Sequence, residues 1–396
     1  MKKILIIAPA SFPVTGAESI VNIKLLRALS ESGGFLIDLV SKNYKSIDYP
    51  SDSLDKYGVK LNSLHTISVD NRITLKTIWQ HIANYLFLGV VFKGCHWEYA
   101  AFPIIKKLLK ENRYDYVLTK GEVALPLGFF AKKKGFKWVA TWNDPCPSSM
   151  YPPPYGYGVD FKGSYSDRKL ITMMRKADCH IFPSERLAKY MQPIVLADSN
   201  KVFIIPHVVI ISERHHSEGE TLRLIHSGNL LPPRNSGTFL EGFRKFMIEN
   251  NYPNVKFCIL GNLTEKDKNL IYSYDLEKYV EYLAPVEYNS SLDMLNSFDI
   301  AVIIEADCAE GIYLPTKVSD FMQMQIPIFS ISPKNGTLND LYKSGNIPYY
   351  ADVQDVENIA SNINKIYSDF KENQIKNNII PGTFLPQSII DQYLIF

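Results

Sequence analysis

The segment ILIIAPASFPVTGAESIVNIKLLRALSESGGFLIDLV, residues 4–40, carries the clearest folding signal in the chain. Its first five residues form an apolar, isoleucine-rich run, which is typical of a strand buried on both faces of a parallel sheet. Residues 18–32 place apolar side chains at helical spacing, Gly33 and Gly34 end that helix, and residues 35–40 predict a second strand. This strand–loop–helix–strand order is the usual opening of a doubly wound α/β domain.

The same pattern continues outward from this segment through the first half of the chain. The segment TWNDPCPSSMYPPPYGYG, residues 141–158, is rich in Pro, Gly and Ser and therefore predicts a long loop. Loops of this length in compact domains are usually functional or disordered. The sequence predicts helices within residues 72–110 and at 167–176, and strands at residues 114–119, 137–141, 177–182 and 201–205.

The pattern starts again after the polar run SERHHSEGE, residues 212–220. A strand, a glycine-containing loop and a helix from Ser236 repeat the opening of the chain. We therefore predict an α/β fold of two Rossmann-like, doubly wound domains that face each other across a cleft, with the active site in that cleft. The predicted strands of this half are residues 222–226, 255–260, 279–283, 300–304 and 326–330, with helices at 289–297 and 316–324.

Composition limits the class of protein. The length of 396 residues suits two domains, and a net charge of +2 argues against a nucleic-acid binder that works through bulk charge. The five cysteines are scattered and form no CxxC pair, which argues against a disulfide framework or a thiolate zinc site and favours a reducing compartment. The apolar runs are too short for a signal peptide or for the ~20 residues of a membrane span. We therefore expect a cytoplasmic protein that is at most peripheral to a membrane.

Two positions in the second half suggest a phosphate site. Gly228 directly follows a strand, and Arg234 follows it closely; a glycine permits close approach of the backbone, and arginine binds phosphate through two parallel hydrogen bonds. Thr316 is predicted to cap the next helix, with Lys317 adding a charge where free N–H groups attract anions. The simpler interpretations are a tight turn with a solvated arginine and a capped helix with a surface lysine. Together the two positions indicate a diphosphate site.

Acidic residues surround the second of these positions. Asp320 lies one turn into the predicted helix, where a carboxylate can accept hydrogen bonds from ribose hydroxyls. Glu305 and Asp307 are better explained as solvated loop residues, and Glu310 follows them. The chain contains no DxD triplet, so a metal–diphosphate site is not indicated.

The long loop after residues 137–141 contains Asn143 and Asp144. Asp144 precedes a proline and can be an ordinary turn residue, or it can face the cleft as a base or sugar ligand. The eight histidines form no HxxxH or HxH pair; His215 and His216 are predicted to be solvated. His226 is either a packed strand residue or a cleft residue. Dinucleotide and P-loop glycine motifs are absent from the sequence, which removes most support for those functions.

The order of several motifs resembles the retaining, family-four glycosyltransferases of the GT-B fold. The opening segment resembles that family's first strand, glycine loop at Gly16 and first helix. The donor-domain opening is similar at HSGNLLPPRNSGTFLEGFRKF, and the donor motif at LPTKVSDFMQMQIPIF. The other similar segments are ADCHIFPSERL, KVFIIPHVV and TFLPQSIIDQYL, the last resembling a helix that returns to the first domain.

This resemblance implies three regions and a division of roles. Residues 1–207 would form the acceptor-side domain, 208–378 the domain that binds a nucleotide-diphosphate sugar, and 379–396 the returning helix. Arg234 and Lys317 would neutralise the leaving diphosphate without a metal, and Asp320 would hold the ribose.

The remaining predicted site residues also take their roles from the resemblance. Gly16 would let its loop approach the phosphates, and Glu310 is the nearest match to the family's first acidic residue. Asn143 and Asp144 would lie near the transferred sugar. No cofactor is implied beyond the nucleotide sugar as co-substrate, and retention of configuration would depend on electrostatics and acceptor placement.

The predicted partners are a nucleotide sugar and a glycan or lipid-linked saccharide acceptor, with no nucleic acid. Bacterial surface polysaccharide synthesis is the expected setting. The apolar and basic residues within 72–110, among them Leu86 and Phe87 near Lys93, suggest peripheral contact with the inner face of a membrane, although ordinary helix packing is the simpler interpretation. The alternatives are a nucleotide-sugar epimerase of the same fold and a two-domain nucleotide-sugar-binding protein without catalysis.

Overall fold

The computed structural model describes residues 1–44, 54–70, 72–215 and 219–396. The chain divides into two compact units, which we call unit 1 (Met1–Val208 with Thr383–Phe396) and unit 2 (Val209–Gly382). The domain boundary predicted after residue 207 lies one residue from this division, and the terminal segment predicted from 379 joins unit 1 from residue 383.

Unit 1 contains a parallel sheet with strand order β3-β2-β1-β4-β5-β6-β7. The order reverses at β1, which is the signature of a doubly wound domain. Its strands are β1 (Lys2–Ile7), β2 (Phe35–Tyr44), β3 (Ser63–Val69), β4 (Tyr116–Lys120), β5 (Trp138–Thr141), β6 (Cys179–Phe182) and β7 (Val202–Ile204). Its first six helices are α1 (Ala17–Glu31), α2 (Leu75–Leu88), α3 (His96–Glu111), α4 (Leu125–Lys133), α5 (Tyr165–Met174) and α6 (Glu185–Val195).

Unit 2 contains a second parallel sheet with strand order β10-β9-β8-β11-β12-β13, and its order reverses at β8. Its strands are β8 (Leu222–Ser227), β9 (Val255–Leu260), β10 (Val280–Leu283), β11 (Ile300–Ile304), β12 (Ile328–Ser332) and β13 (Tyr349–Asp352). Its helices are α7 (Gly237–Glu249), α8 (Glu265–Ser273), α9 (Tyr288–Leu295), α10 (Thr316–Gln323), α11 (Thr337–Lys343) and α12 (Val356–Lys371).

The central strands form as predicted because both of their faces are covered. Residues 4–7 of β1 are at most 1% exposed, and all five residues of β11 are buried. Ser184 caps α6: its Oγ accepts a hydrogen bond from the Leu187 N–H at 3.2 Å. The prediction of two doubly wound α/β domains is therefore confirmed.

The last helix, α13 (Pro386–Ile395), packs within unit 1. The Tyr116 hydroxyl donates to the Tyr393 carbonyl at 3.1 Å, and the Lys137 Nζ donates to the Phe396 carbonyl at 2.8 Å. The terminal segment thus contacts the sheet of unit 1 at residues that precede it by more than 250 positions in the sequence.

Two expectations from composition can be compared with this structure. All five cysteines are free, and four of them are buried. Among the described residues, no helix combines the length and the apolar character that crossing a membrane requires.

Candidate functional site

The candidate site of unit 2 lies where β8 and β11, the strands on either side of the reversal in strand order, end. Ligands of open parallel sheets bind beyond the carboxyl ends of strands at such points. Gly228 follows β8 with φ +122°, and its N–H donates to the Leu260 carbonyl at 2.6 Å. A Cβ on Gly228 would lie 2.5 Å from Lys317 Cε, and one on Gly261 would lie 2.5 Å from the Gly228 carbonyl. Gly261 is therefore needed for the close approach of the two backbones, and Gly228 leaves the space that the Lys317 side chain occupies.

Lys317 is held over Gly228 by His226. The Lys317 Nζ lies 3.1 Å from His226 Nε2, and the other ring nitrogen, Nδ1, lies 3.0 Å from the Val302 carbonyl. Burial, and then the charge of Lys317, lower the pKa of His226 well below its usual value, so the ring is neutral. Since a carbonyl only accepts, Nδ1 carries the proton and Nε2 accepts from the ammonium group. His226 therefore orients Lys317 and leaves that group further N–H donors.

Positive charge is concentrated at this point. Burial first, and then the charge of Arg234, lower the pKa of Lys317 to about 7, while Glu305 and Asp320 act in the opposite direction. The Nε of Arg234 is buried and has no hydrogen-bond partner among the described residues. A buried donor without a partner is costly, so an anion that accepts from Arg234 would be favoured here.

Glu305 was predicted to be a solvated loop residue, and this prediction is wrong. Its side chain is only partly exposed, and burial raises the pKa of its carboxyl group even though Arg234 and Lys317 lower it. Glu305 is the first residue after β11, and its N–H donates to the Ile331 carbonyl at 2.9 Å. Its position directly after a central strand is the signal that could have identified it. Asp307, by contrast, is exposed as predicted and accepts from Gln354 Nε2 at 2.8 Å.

The start of α10 differs from the prediction for Thr316. Pro315 occupies the cap position with φ −59° and ψ 134°, so Thr316 is the first residue of the helix and its side chain does not cap it. The Thr316 carbonyl instead accepts from Ser319 Oγ at 2.9 Å. The helix starts at residue 316, as the predicted range has it, but Pro315 with its fixed φ, rather than the Thr316 hydroxyl, occupies the cap position.

Asp320 and Glu310 lie on different parts of the same region. Asp320, in the first turns of α10, accepts from the Tyr288 hydroxyl of α9 at 2.8 Å, and its charge raises the pKa of Lys317. Glu310 is half-exposed in the loop between β11 and α10, where its carbonyl accepts from Cys308 Sγ at 3.3 Å. Tyr288 was missed in the sequence because its helix is separated from the recognisable motifs.

Unit 1 carries the remaining predicted site residues. Gly16 precedes α1 with φ 176°, an extended conformation that any residue adopts, and a Cβ there would meet no atom within 4 Å. The Gly16 N–H donates to Ser19 Oγ at 2.9 Å. The open space around Gly16, rather than its backbone conformation, is what would admit a ligand.

Asn143 and Asp144 follow β5 and lie near charged residues that sequence reasoning missed. Burial, then the negative charge of Asp144, raise the pKa of Glu18 to about 7, while Lys120 and Lys42 oppose this shift. Nearby protein atoms also raise the pKa of Asp144, although Glu18 and Asp144 are both exposed residues. Glu18 Oε1 would lie 3.5 Å from a Cβ on Gly121, the residue after β4, which fixes the carboxylate beside the carboxyl end of that strand.

Lys120, the last residue of β4, is 5% exposed. Burial lowers its pKa to about 8, and Glu18 acts in the opposite direction. Lys120 and Asn143 line a cavity of about 20 Å³ together with Thr141, and that volume is enough for about one water molecule. A buried lysine at a strand end is the signal that could have identified this group.

Two histidine predictions can also be compared with the structure. His226 is fully buried at the end of β8, where it contacts Lys317, so it is at once a packed strand residue and part of the site. His215 is exposed, as predicted. His216 lies outside the described residues.

Comparison with known proteins found one family model and several solved structures that are similar to this chain. Residues 74–213 match the family model described as Glycosyltransferase Family 4. No protein with a curated function matches the sequence. Among solved structures, a mutant of S. aureus TarM in complex with fondaparinux, alpha-GlcNAc-glycerol and UDP is 13% identical, with 100% of this chain and 99% of that chain covered and a TM-score of 0.63.

Two further solved structures are similar over nearly the whole chain. The lipopolysaccharide outer core galactosyltransferase WaaB is 14% identical, with 99% and 98% of the two chains covered and a TM-score of 0.61. A putative UDP-N-acetylglucosamine 2-epimerase from Listeria monocytogenes is 11% identical, with 99% and 94% covered and a TM-score of 0.56.

The chain has the GT-B fold of these solved structures, and its residues 74–213 match the Glycosyltransferase Family 4 model. The predicted resemblance to family-four glycosyltransferases is confirmed over residues 74–213, and retention of configuration stays a prediction. In this GT-B protein, Gly228, Arg234, Lys317 and Asp320 are gathered in unit 2. Asn143, Asp144 and Gly16 lie in unit 1. The roles assigned to all of these residues stay predictions.

Proposed function

We propose that the protein is a glycosyltransferase that takes its sugar from a nucleotide-diphosphate donor bound in unit 2. The observation that carries the proposal is the pair of cations at the reversal in strand order: Lys317, held over Gly228 by His226, and Arg234, whose buried Nε lacks a partner among the described residues. Such a pair matches a diphosphate in charge and in hydrogen-bond donors.

In the proposed reaction, these cations act on the leaving group. Negative charge grows on the nucleoside diphosphate as the bond to the sugar breaks, and fixed donors stabilise that charge in the transition state. Lys317 donates from a position set by His226, and Arg234 donates through its planar fork. Glu305 lies close enough to the two cations for their charges to lower its pKa, so it partly offsets their positive charge. Asp320, held by Tyr288, is proposed to accept from the ribose hydroxyls.

The proposed donor site needs no metal, because the side-chain cations supply the positive charge. Addition of a chelator should therefore leave transfer unchanged, and this can be measured as nucleotide release with and without EDTA. A loss of transfer that added Mg²⁺ restores would contradict this part of the proposal.

Unit 1 is proposed to supply the groups near the transferred sugar and the acceptor hydroxyl. Asp144 and Asn143 remain the proposed sugar-side residues, and Glu18, whose pKa is raised to about 7, is well suited to take a proton at neutral pH. Asp144→Asn and Glu18→Gln should lower kcat more than they change donor affinity. Unchanged transfer by Asp144→Asn would remove that residue from the site.

Retention of configuration, a glycan or lipid-linked saccharide acceptor, and a cytoplasmic role in bacterial surface polysaccharide synthesis complete the proposal. The family match and the similarity to a lipopolysaccharide galactosyltransferase support the acceptor class. The five free cysteines support a reducing compartment. The anomeric proton signal of the product tests retention: the configuration of the donor should be kept.

A nucleotide-sugar epimerase is the second candidate, favoured by the similarity to the Listeria protein. The two candidates differ in their need for an acceptor. Purified protein should be incubated with UDP-, GDP- and ADP-sugars, with and without saccharide acceptors. We expect nucleotide release that depends on an acceptor and that is lost in Lys317→Met but kept in the exposed control Lys334→Met. Conversion of a nucleotide sugar to its epimer without any acceptor would instead support the epimerase.

A further inference from the structure

One face of α2 is apolar and open to solvent. The helix presents apolar residues at spacings of three and four, and the side chains of Trp79, Leu86 and Phe87 are 59%, 70% and 73% exposed. Single exposed apolar residues are common, but a continuous row of them marks an interaction surface. We define the α2 apolar face as residues Leu75, Ile78, Trp79, Ile82, Tyr85, Leu86 and Phe87.

The opposite side of α2 is firmly attached to unit 1, so the exposure does not come from a detached helix. Asn84 is fully buried, and its Nδ2 donates to Glu98 of α3 at 2.8 Å and to the Val90 carbonyl at 3.2 Å. The rings of His81 and His96 stack with centroids 5.0 Å apart. Ordinary packing therefore accounts for the inner side of the 72–110 segment, but none of the described residues covers the α2 apolar face.

The surface continues beyond α2 onto the start of α5. The rings of Tyr85 and Tyr165 meet edge to face with centroids 6.4 Å apart, and the Val91 N–H donates to Ser166 Oγ at 3.0 Å. Tyrosine and tryptophan combine an apolar ring with a polar tip, which suits the boundary between water and hydrocarbon.

The charges around this face are mainly basic. Within α2 the only charged side chain is the exposed Lys76, and the helix contains no aspartate or glutamate. The exposed Lys93 follows the helix, and Lys169 lies over the Tyr165 ring at 5.6 Å. A helix with an apolar face, aromatic residues and flanking lysines has the composition of an interfacial, lipid-binding helix.

We propose that the α2 apolar face docks on an anionic lipid surface, with Lys76 and Lys93 contacting lipid headgroups. Apolar side chains enter the headgroup boundary while the inner side of α2 stays packed on α3. Charge complementarity favours this occupant over a second copy of the chain, because the same basic residues would face each other across a symmetric interface. The proposal goes beyond glycosyl transfer and does not depend on it.

Co-sedimentation of the full chain with vesicles tests the proposal. The vesicles are of phosphatidylcholine alone or of phosphatidylcholine with phosphatidylglycerol. We expect binding to the anionic vesicles that weakens with salt, and little binding to the neutral ones. Leu86→Ser with Phe87→Ser should lower the partition coefficient at least about tenfold, since two apolar side chains no longer enter the lipid. Lys76→Glu with Lys93→Glu should weaken binding to the anionic vesicles and leave any binding to the neutral vesicles unchanged.

Tyr272→Ser is the matched control, because Tyr272 is 73% exposed on α8 of unit 2. It should bind vesicles like the wild type. All of these residues are exposed, so the variants should fold like the wild type, and circular dichroism of each variant checks this. Wild-type protein that stays in the supernatant with anionic vesicles at low salt would overturn the proposal. So would equal binding by the Leu86–Phe87 variant, or self-association that this variant abolishes without any vesicle binding.

Discussion

Gly228 has two roles: it adopts a positive φ, and it leaves space for the Lys317 side chain. Substitution can separate these two roles. In Gly228→Ala the new Cβ would lie 2.5 Å from Lys317 Cε, so the flexible lysine must move away from its place beside His226. We expect the affinity for the nucleotide sugar to fall about tenfold or more, because that factor corresponds to the free energy of one hydrogen bond to a charged group. Titration calorimetry measures this affinity.

Gly345→Ala is the control for this substitution, since Gly345 also has positive φ (+75°) but no atom within 4 Å of a new Cβ. It should cost about 1 kcal/mol of stability through backbone strain and leave affinity unchanged. Equal affinity losses in both variants would show that strain, rather than displacement of Lys317, is responsible.

The lowered pKa of Lys317 predicts a pH dependence of donor binding. In the free protein this pKa is about 7, and a bound diphosphate raises it because an opposite charge favours the ammonium form. Binding therefore takes up a proton above pH 7, and affinity should fall as the pH rises through that range. Calorimetry of a nucleotide sugar in buffers of different ionisation enthalpy measures the uptake. Lys317→Met should bind more weakly and show no uptake; uptake that persists in this variant would assign it to another group.

The site residues differ in how far the sequence could predict them. Arg234 follows the strand-end Gly228, and Lys317 follows Pro315 at the start of a helix. The local sequence was therefore enough to predict both as site residues. Glu305 did not stand out because its environment is created by residues more than 70 positions away in the chain, such as Arg234. Thr316 failed as a cap because the preceding proline, rather than the hydroxyl, sets the start of the helix.

At the scale of secondary structure, Asp38 joins three parts of the unit 1 sheet. It lies in β2, is 2% exposed, and accepts hydrogen bonds from Asn62, Ser63 and the Tyr114 hydroxyl. Burial raises the pKa of Asp38, but these hydrogen bonds together lower it below the usual value. Asp38→Ala should lower the free energy of unfolding by roughly 3 kcal/mol, because buried donors lose their acceptor. Urea unfolding measures the loss.

Asp38→Asn tests the charged part of this contribution. Because the pKa of Asp38 is lower in the folded than in the unfolded protein, its carboxylate stabilises the folded state at pH values above the unfolded pKa of about 3.9. This stabilisation is lost as the pH falls through the folded pKa. The stability difference between wild type and Asp38→Asn should therefore be full at pH 6 and shrink below about pH 4. A difference that stays constant down to the lowest pH would contradict the role of the carboxylate.

Strands could be predicted from the sequence where both of their faces are buried, because such strands are continuous apolar runs. The predicted strands at 255–260 and 300–304 match β9 and β11 residue for residue. The strand β13 was missed because its four residues, YYAD, include no valine, isoleucine or leucine. The helix α12 was also missed, although Ile359, Ile363 and Ile366 are buried at helical spacing, so the pattern itself was sufficient in that case.

At the scale of the whole molecule, the returning helix α13 is expected to stabilise unit 1. Ile389 is fully buried, whereas Ile395 is 65% exposed on the same helix. Ile389→Ala should lower the unfolding free energy of unit 1 by about 3 kcal/mol, and Ile395→Ala by less than about 0.5 kcal/mol. Tryptophan fluorescence reports on unit 1, because Trp79, Trp97, Trp138 and Trp142 all lie there. Equal effects of the two substitutions would mean that α13 is not packed as described.

This assignment of the terminal segment could not have come from local pattern. The family resemblance predicts the helix, whereas its place in the fold depends on contacts such as the hydrogen bond from Tyr116 to Tyr393, which joins positions 277 residues apart. The resemblance to family-four proteins predicted that a terminal helix returns to the first domain. The structure shows that the segment belonging to unit 1 begins at residue 383.

The central claim, that unit 2 holds the diphosphate of a nucleotide sugar between Arg234 and Lys317, is tested most directly by binding. Thermal-shift titration with UDP, GDP, ADP and their sugars should raise the unfolding temperature with at least one of them. The shift should be reduced in Arg234→Ala and Lys317→Ala and unchanged in the exposed control Lys334→Ala. No response to any of these nucleotides, or equal shifts in all three variants and the wild type, would contradict the account.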